Sequence, residues 1–133
     1  MLDKKTRHVF KFFADLAADA ETKAKQEPLG FSKEKLTVPA GEKEAIYNLW
    51  AAPDGQADLH VWLAHPGNYD VDGKDRPNFF EVTSIMKGHC IVEEKGYPPV
   101  ELKAGDTYVM RPRWTGRWVV KEYVEKAFIW VYL

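Results

Sequence analysis

The chain has 133 residues, a formal net charge of −1 and one cysteine, Cys90. This length suits one domain with a core that needs no disulfide or metal ion, and a single thiol excludes an internal disulfide. The near-neutral charge argues against a nucleic-acid-binding protein, and no apolar run is long enough to span a membrane.

The first fifty residues are predicted to form an N-terminal extension and the first strands. Residues 8–13 are ambiguous, whereas residues 14–25 predict a helix because Ala, Leu, Glu and Lys are strong helix formers. Residues 36–39 and 46–51 are predicted to be strands. Charged residues, Lys11 and Asp15, break the apolar run near the N-terminus, so we expect no signal peptide and a cytoplasmic protein.

From residue 59 onward the pattern is typical of a β protein. Strands are predicted at residues 59–64, 79–86, 89–94, 100–103, 107–110, 117–122 and 126–133. Lys87-Gly88 is predicted to be the turn of a hairpin, and Pro66-Gly67 is predicted to end the first of these strands. Short strands separated by turns favour a sandwich or a closed barrel. The aromatic content of 14% favours strands and a cavity lined by rings.

Three stretches resemble the motifs of small cupins related to the cupin domain of ureidoglycine aminohydrolase. One is residues 61–67 (VWLAHPG), and the second is Glu81 with six residues before Gly88. The third is Ala104-Gly105-Asp106, followed by Trp114-Thr115-Gly116-Arg117-Trp118 and then by Glu125-Lys126. The resemblance implies an all-β double-stranded β-helix, an RmlC-like cupin barrel, with a short N-terminal helical segment. It implies one cupin domain over residues 1–133, with the core motifs in residues 59–133, and a homodimer.

The sequence departs from the cupin pattern where that pattern has its metal ligands. No histidine pair precedes Glu81, because residues 74–78 read KDRPN, and the histidine of the second motif falls on Gly116. Of the four usual ligands only Glu81 is present, and transition metals need three or four. We therefore expect no cofactor, and a divalent metal would require other residues to complete its site.

Glu81 and Lys126 are the candidate catalytic residues. Alternate side chains of a strand share a face, so if Glu81 points inward, Thr83 and Ile85 do too. Burial would raise the pKa of Glu81 and suit it to general acid–base work. Lys126 stands where the resembling family has a lysine, and it would pair with Glu81 or Glu125 or hold a substrate carboxylate. The alternative for both residues is a solvated position on the outer surface.

Arginines interleaved with tryptophans form the most unusual local pattern. Guanidinium groups recognise anions and indole rings cover planar groups, so we expect a small anionic ligand at the barrel mouth. Stacking of arginine on tryptophan without any ligand is the alternative. The candidate ligand-binding residues are Trp62, Arg111, Arg113, Trp114 and Trp118. Trp62 shares its strand face with His60, and the pattern favours packing for Trp62 and a surface position for His60.

Three functions remain open from the sequence. The first is a hydrolase of C–N bonds in the ureide class, as the resemblance implies. The second is a non-catalytic domain that binds a small polar, anionic molecule between tryptophans. The third is a structural or dimerisation module whose barrel is filled by side chains. The barrel interior would distinguish them. A cavity with Glu81 at its base would support the first function, and an aromatic cavity without a buried ionisable group would support the second. A barrel filled by side chains would support the third.

Overall fold

The computed structural model describes residues 36–133, and the predicted helix at residues 14–25 lies outside the described residues. The described part of the chain forms seven strands: β1 (Glu44–Ala51), β2 (Ala57–Ala64), β3 (Gly67–Val71), β4 (Phe79–Glu94), β5 (Val100–Lys103), β6 (Thr107–Met110) and β7 (Gly116–Tyr132). They pair antiparallel in the order β1-β2-β7-β4-β5, while β3 also pairs with β7 and β6 with β4. The prediction of an all-β fold is confirmed. No helix within residues 36–133 is long and apolar enough to cross a membrane.

The predicted hairpin at residues 79–94 is wrong, because this segment is one continuous strand, β4. Both of its halves pair with β7, and the register shifts between Ile85 and Cys90. Gly88 has a φ of +93° and lies in this irregular stretch, where a Cβ atom would stand 2.0 Å from the Tyr123 carbonyl oxygen. The glycine therefore permits a bulge and a close approach of β7, not a chain reversal. The two strands predicted at residues 117–122 and 126–133 are likewise one strand, β7, which ends at Tyr132.

Two further predictions differ from the structure near the start of the barrel. Residues 36–39 form no strand, and β3, which the sequence did not predict, begins at Gly67 directly after Pro66. The sequence GNYDV of β3 is short and its Gly, Asn and Asp residues are typical of turns, although Tyr69 and Val71 do alternate with Asn68 and Asp70. Its pairing with residues 116–120 of β7 decides the conformation.

The core lies between the inward faces of β2, β4 and β7. It includes Trp62, Ile85, Trp118, Val124 and Phe128, each at most 7% exposed. Cys90 is completely buried in this core, and burial raises its pKa to about 11. The same inward faces position the charged residues described next.

Candidate active site in the barrel

A cavity of about 580 Å³ opens into the barrel between β1, β3 and the inward faces of β2, β4 and β7. Such a volume suits a small organic ligand. Five aromatic side chains line it: Trp62, Tyr69, Trp118, Phe128 and Trp130. Six charged residues also line it: Lys43, Glu44, Asp70, Arg76, Glu81 and Lys126.

Glu81 lies at the wall of this cavity and is 7% exposed. Both of its carboxylate oxygens accept hydrogen bonds. The Trp130 indole Nε1 donates to Oε1 at 2.8 Å, while the Thr83 hydroxyl and the Lys126 ammonium donate to Oε2 at 2.5 and 3.1 Å. The alternation of β4 places Thr83 and Ile85 on the same inward face, as predicted, and both are buried.

The predicted direction of the Glu81 pKa shift is wrong. Burial raises the pKa of the carboxyl, as the sequence suggested, but the Lys126 charge and the three hydrogen bonds outweigh it. The net result is a pKa below the ordinary value of 4.5. Glu81 is therefore a fixed anion at neutral pH and not a proton donor.

Lys126 is buried beside Glu81, and each of the two side chains is 8% exposed. Its pairing with Glu81 resolves the alternative of a pair with Glu125. The ammonium nitrogen also lies 4.0 Å from the ring centre of Trp118, 4.6 Å from that of Phe128 and 5.2 Å from that of Trp62. A cation between aromatic faces gains electrostatic stabilisation that offsets part of its lost hydration.

The mouth of the cavity is held by contacts between β1, β2 and β3. The Trp62 indole Nε1 donates to Glu44 Oε2 at 2.6 Å, and its ring meets Tyr69 edge-on at 5.2 Å. The Tyr69 hydroxyl lies 2.7 Å from the His65 carbonyl oxygen and 3.1 Å from that of Lys43. Trp62 thus packs, as the sequence favoured, and also lines the cavity.

Four of the predicted site residues, Glu81, Lys126, Trp62 and Trp118, meet in this cavity, whereas Arg111, Arg113 and Trp114 do not line it. Arg111 bonds to Glu94 and lies 4.1 Å from the ring centre of Tyr97. Arg111 and Trp114 line a separate groove of about 290 Å³. Arg111 and Arg113 lie in the segment that connects β6 to β7, and within this segment Trp114 is buried in the core.

The preference for a surface position of His60 is wrong. His60 is 7% exposed, and its ring centre lies 5.1 Å from that of Phe128 and 4.5 Å from that of Trp130. Its buried Nε2 has no hydrogen-bond partner among residues 36–133. Burial lowers its pKa, although the nearby Asp58 and Glu81 charges oppose the shift.

Sequence reasoning missed Arg76, Glu44 and Trp130 as residues of the site. Arg76 lies in the segment 74–78 that was noted only for lacking a histidine pair. Trp130 had a usable signal, because it shares the alternate face of β7 with Lys126 and Phe128. Glu44 precedes the predicted strand at residues 46–51 and gave no such signal.

The residues of the site do not fit a metal ion of the usual cupin kind. Within residues 36–133, no three His, Cys, Asp or Glu side chains converge as a ligand set. The Lys126 ammonium already contacts Glu81, and a divalent cation at that oxygen would face a like charge. A side chain at Gly116 has no room, since its Cβ would lie 2.1 Å from the Glu93 carbonyl oxygen.

Residues 51–128 match the model of the EutQ-like cupin domain. The chain belongs to this cupin family. The match confirms the predicted cupin superfamily, whereas the narrower resemblance to ureidoglycine aminohydrolase is not confirmed. No curated protein matches this cupin.

Solved structures share the fold of this cupin at low sequence identity. A cupin superfamily protein from Desulfitobacterium hafniense DCB-2 has a TM-score of 0.63 at 8% identity, with 80% of this chain and 92% of that chain covered. Ectoine synthase from P. lautus has a TM-score of 0.59 at 12% identity, with 77% and 72% covered. The Clostridium difficile EutQ protein has a TM-score of 0.56 at 11% identity, with 66% and 61% covered. These likenesses establish the double-stranded β-helix and no particular activity.

Proposed function

We propose that this cupin binds a small carboxylate-bearing molecule in its barrel cavity, without covalent chemistry of its own. The observation that supports this most is the buried Lys126 ammonium at the cavity wall. An ammonium has three N–H donors, and one of them goes to Glu81. A ligand carboxylate can accept another.

The surroundings of Lys126 favour an anion over other ligand groups. Both oxygens of Glu81 already accept hydrogen bonds, so this carboxylate offers little to a ligand donor. Aromatic rings surround the Lys126 ammonium, and a charge-assisted hydrogen bond is stronger where the local dielectric is low. The cavity volume also argues against a barrel filled by its own side chains, and so against a purely structural module.

The hydrolase implied by the sequence resemblance receives less support from the same contacts. A general acid or base works best when its pKa lies near the operating pH. The pKa of Glu81 is lowered, and three donors hold the carboxylate. Hydrolysis of a ureide would therefore need a different proton carrier, and binding alone requires no such group.

A ligand titration followed by tryptophan fluorescence tests the proposal, because three tryptophans line the cavity. We expect short-chain carboxylates to change the emission of the parent protein saturably, and the matching amides to have no effect. Lys126→Met should abolish the response, whereas Lys121→Met, which removes an exposed lysine of the same strand, should not.

A second variant keeps this test decisive if Lys126→Met fails to fold. The double variant Glu81→Gln/Lys126→Met removes both buried charges and keeps hydrogen-bonding atoms near Thr83 and Trp130. It should fold and still not bind. Carboxylate binding by the folded double variant would contradict the proposed role of Lys126. Elemental analysis of protein purified without chelator should find no stoichiometric metal, and metal that Glu81→Gln removes would revive a metal-dependent reaction.

The homodimer expected from the resemblance stays a prediction. Apolar side chains exposed near β5 and β6 support it, namely Tyr97, Val100 and Val109, which are 54%, 36% and 59% exposed. Among the described residues, β5 and β6 pair only with β4 and leave strand edges available. Sedimentation equilibrium would give the mass directly.

A further inference from the structure

The carboxylates that line the cavity already accept hydrogen bonds from other residues of the protein. Glu44 accepts a hydrogen bond from Trp62, and Glu81 accepts three. Asp70 Oδ1 accepts a hydrogen bond from Arg117 Nε at 2.7 Å, and Arg117 stands outside the cavity lining. The negative charge of Asp70 is thus balanced from outside the cavity.

Two cations at the mouth of the cavity have no such partner in the part of the chain that the structure describes. Neither Lys43 nor Arg76 forms an ion pair with any residue of the segment 36–133. The pairs Glu81–Lys126 and Asp70–Arg117 each cancel, so the charges that remain around the cavity are those of Glu44, Lys43 and Arg76. Their sum is positive, and all three residues are exposed, whereas Lys126 is buried.

Arg76 is held in place by its loop even though its side chain is exposed. The Arg76 backbone N–H donates to the Gly73 carbonyl oxygen at 3.3 Å, and the Gly73 N–H donates to the Thr115 hydroxyl oxygen at 3.1 Å. Gly73 also packs so closely on residues 113–114 that a Cβ atom would clash with their backbone. The Arg76 side chain therefore extends from a fixed backbone position at the mouth of the cavity.

We propose that the ligand of this cavity is a dicarboxylate, whose first carboxylate binds the Lys126 ammonium and whose second binds the Arg76 guanidinium at the mouth. This inference rests on the proposed function and specifies its ligand. The planar guanidinium fork matches a carboxylate in a bidentate fashion. Lys43 adds a second positive charge at the same rim, and the aromatic walls enclose the chain that joins the two carboxylates.

The test compares linear dicarboxylates, from succinate to suberate, with monocarboxylates of the same chain length. Binding to the full-length protein is measured by isothermal titration calorimetry. At the best chain length, the dicarboxylate should bind about tenfold more tightly than its monocarboxylate, since one added charge-assisted bidentate contact is worth roughly that factor. A dependence on chain length is expected, because Lys126 is buried and the backbone at Arg76 is anchored, which limits how far apart the two cations can lie.

Variants assign the second contact to Arg76. Arg76→Gln should lower dicarboxylate affinity to that of the monocarboxylate and leave monocarboxylate affinity unchanged. Lys74→Gln removes a positive charge from the same loop but not from the cavity lining, and it should preserve the preference.

The outcomes separate this inference from the proposed function. If monocarboxylates bind and no dicarboxylate binds more tightly, the two-anion ligand is wrong while the proposed function stands. If Arg76→Gln keeps the preference, the assignment to Arg76 is overturned. If the parent protein binds neither class, the proposed function is wrong, and this inference falls with it.

Discussion

Removal of the Lys126 ammonium should destabilise the barrel strongly, because it leaves the Glu81 carboxylate buried without a counter-charge. Each side chain of the pair is 8% exposed, so water cannot compensate for the loss. Breaking a buried ion pair by deleting one partner costs about 3–5 kcal/mol. That is a large share of the ~5–15 kcal/mol by which domains of ordinary size are stable.

Urea unfolding followed by tryptophan fluorescence at neutral pH measures the free energy of unfolding of Lys126→Met. Lys121→Met is the matched control, because Lys121 is exposed on the same strand and its loss should change stability by less than about 0.5 kcal/mol. The double variant Glu81→Gln/Lys126→Met should recover much of the loss, since it buries no charge.

The pH dependence gives this prediction a second readout with a definite sign. In the parent protein the pKa of Glu81 is depressed, so its stabilising contribution is present above the unfolded-state value of 4.5 and is lost as the pH falls through the folded-state pKa. In Lys126→Met burial raises the pKa of Glu81 instead, so the deficit should shrink from about pH 7 to about pH 5 as the carboxyl takes up a proton. A deficit below about 1 kcal/mol at neutral pH, or one that does not shrink, would refute the reasoning.

Three further predictions follow from buried or strained positions. Burial lowers the pKa of His60 below 6.5, so the free energy of unfolding of the parent protein should fall as the pH drops through that value. Urea unfolding should show a weaker pH dependence in this range for His60→Phe. An unchanged pH dependence would contradict the assignment. Gly88→Ala should destabilise the protein by more than about 2 kcal/mol, because the new Cβ would clash with the Tyr123 carbonyl. Gly96→Ala has open space at a φ of +87° and should cost only about 1–2 kcal/mol. Equal losses of stability in thermal unfolding would disprove the close approach of β7 at Gly88. Cys90, with its pKa raised to about 11 and no exposed surface, should react with Ellman's reagent only in denaturant, and fast labelling of the native protein would show that the core is open.

The strand pattern predicted the faces of the site better than its chemistry. Because side chains alternate along a strand, placing Glu81 inward also placed Thr83 and Ile85 inward, and the structure agrees. The sign of the Glu81 pKa shift was wrong because it depends on Lys126 and Trp130, which lie on another strand. The prediction that Arg111 lies at the barrel mouth was wrong. Arg111 directly follows strand β6, but its side chain does not line the cavity.

The sequence by itself predicted the β character of the chain and the face of β4 that Glu81 shares with Thr83 and Ile85. Alternation and turn residues are local, so they can be read from neighbouring positions. The tertiary structure alone decided that Lys126 pairs with Glu81, that β4 runs unbroken past Gly88, and that Arg76 stands at the cavity mouth. These features depend on the register between β4 and β7 and on the path of a loop, where residues far apart in sequence meet and no local pattern specifies the distance between them.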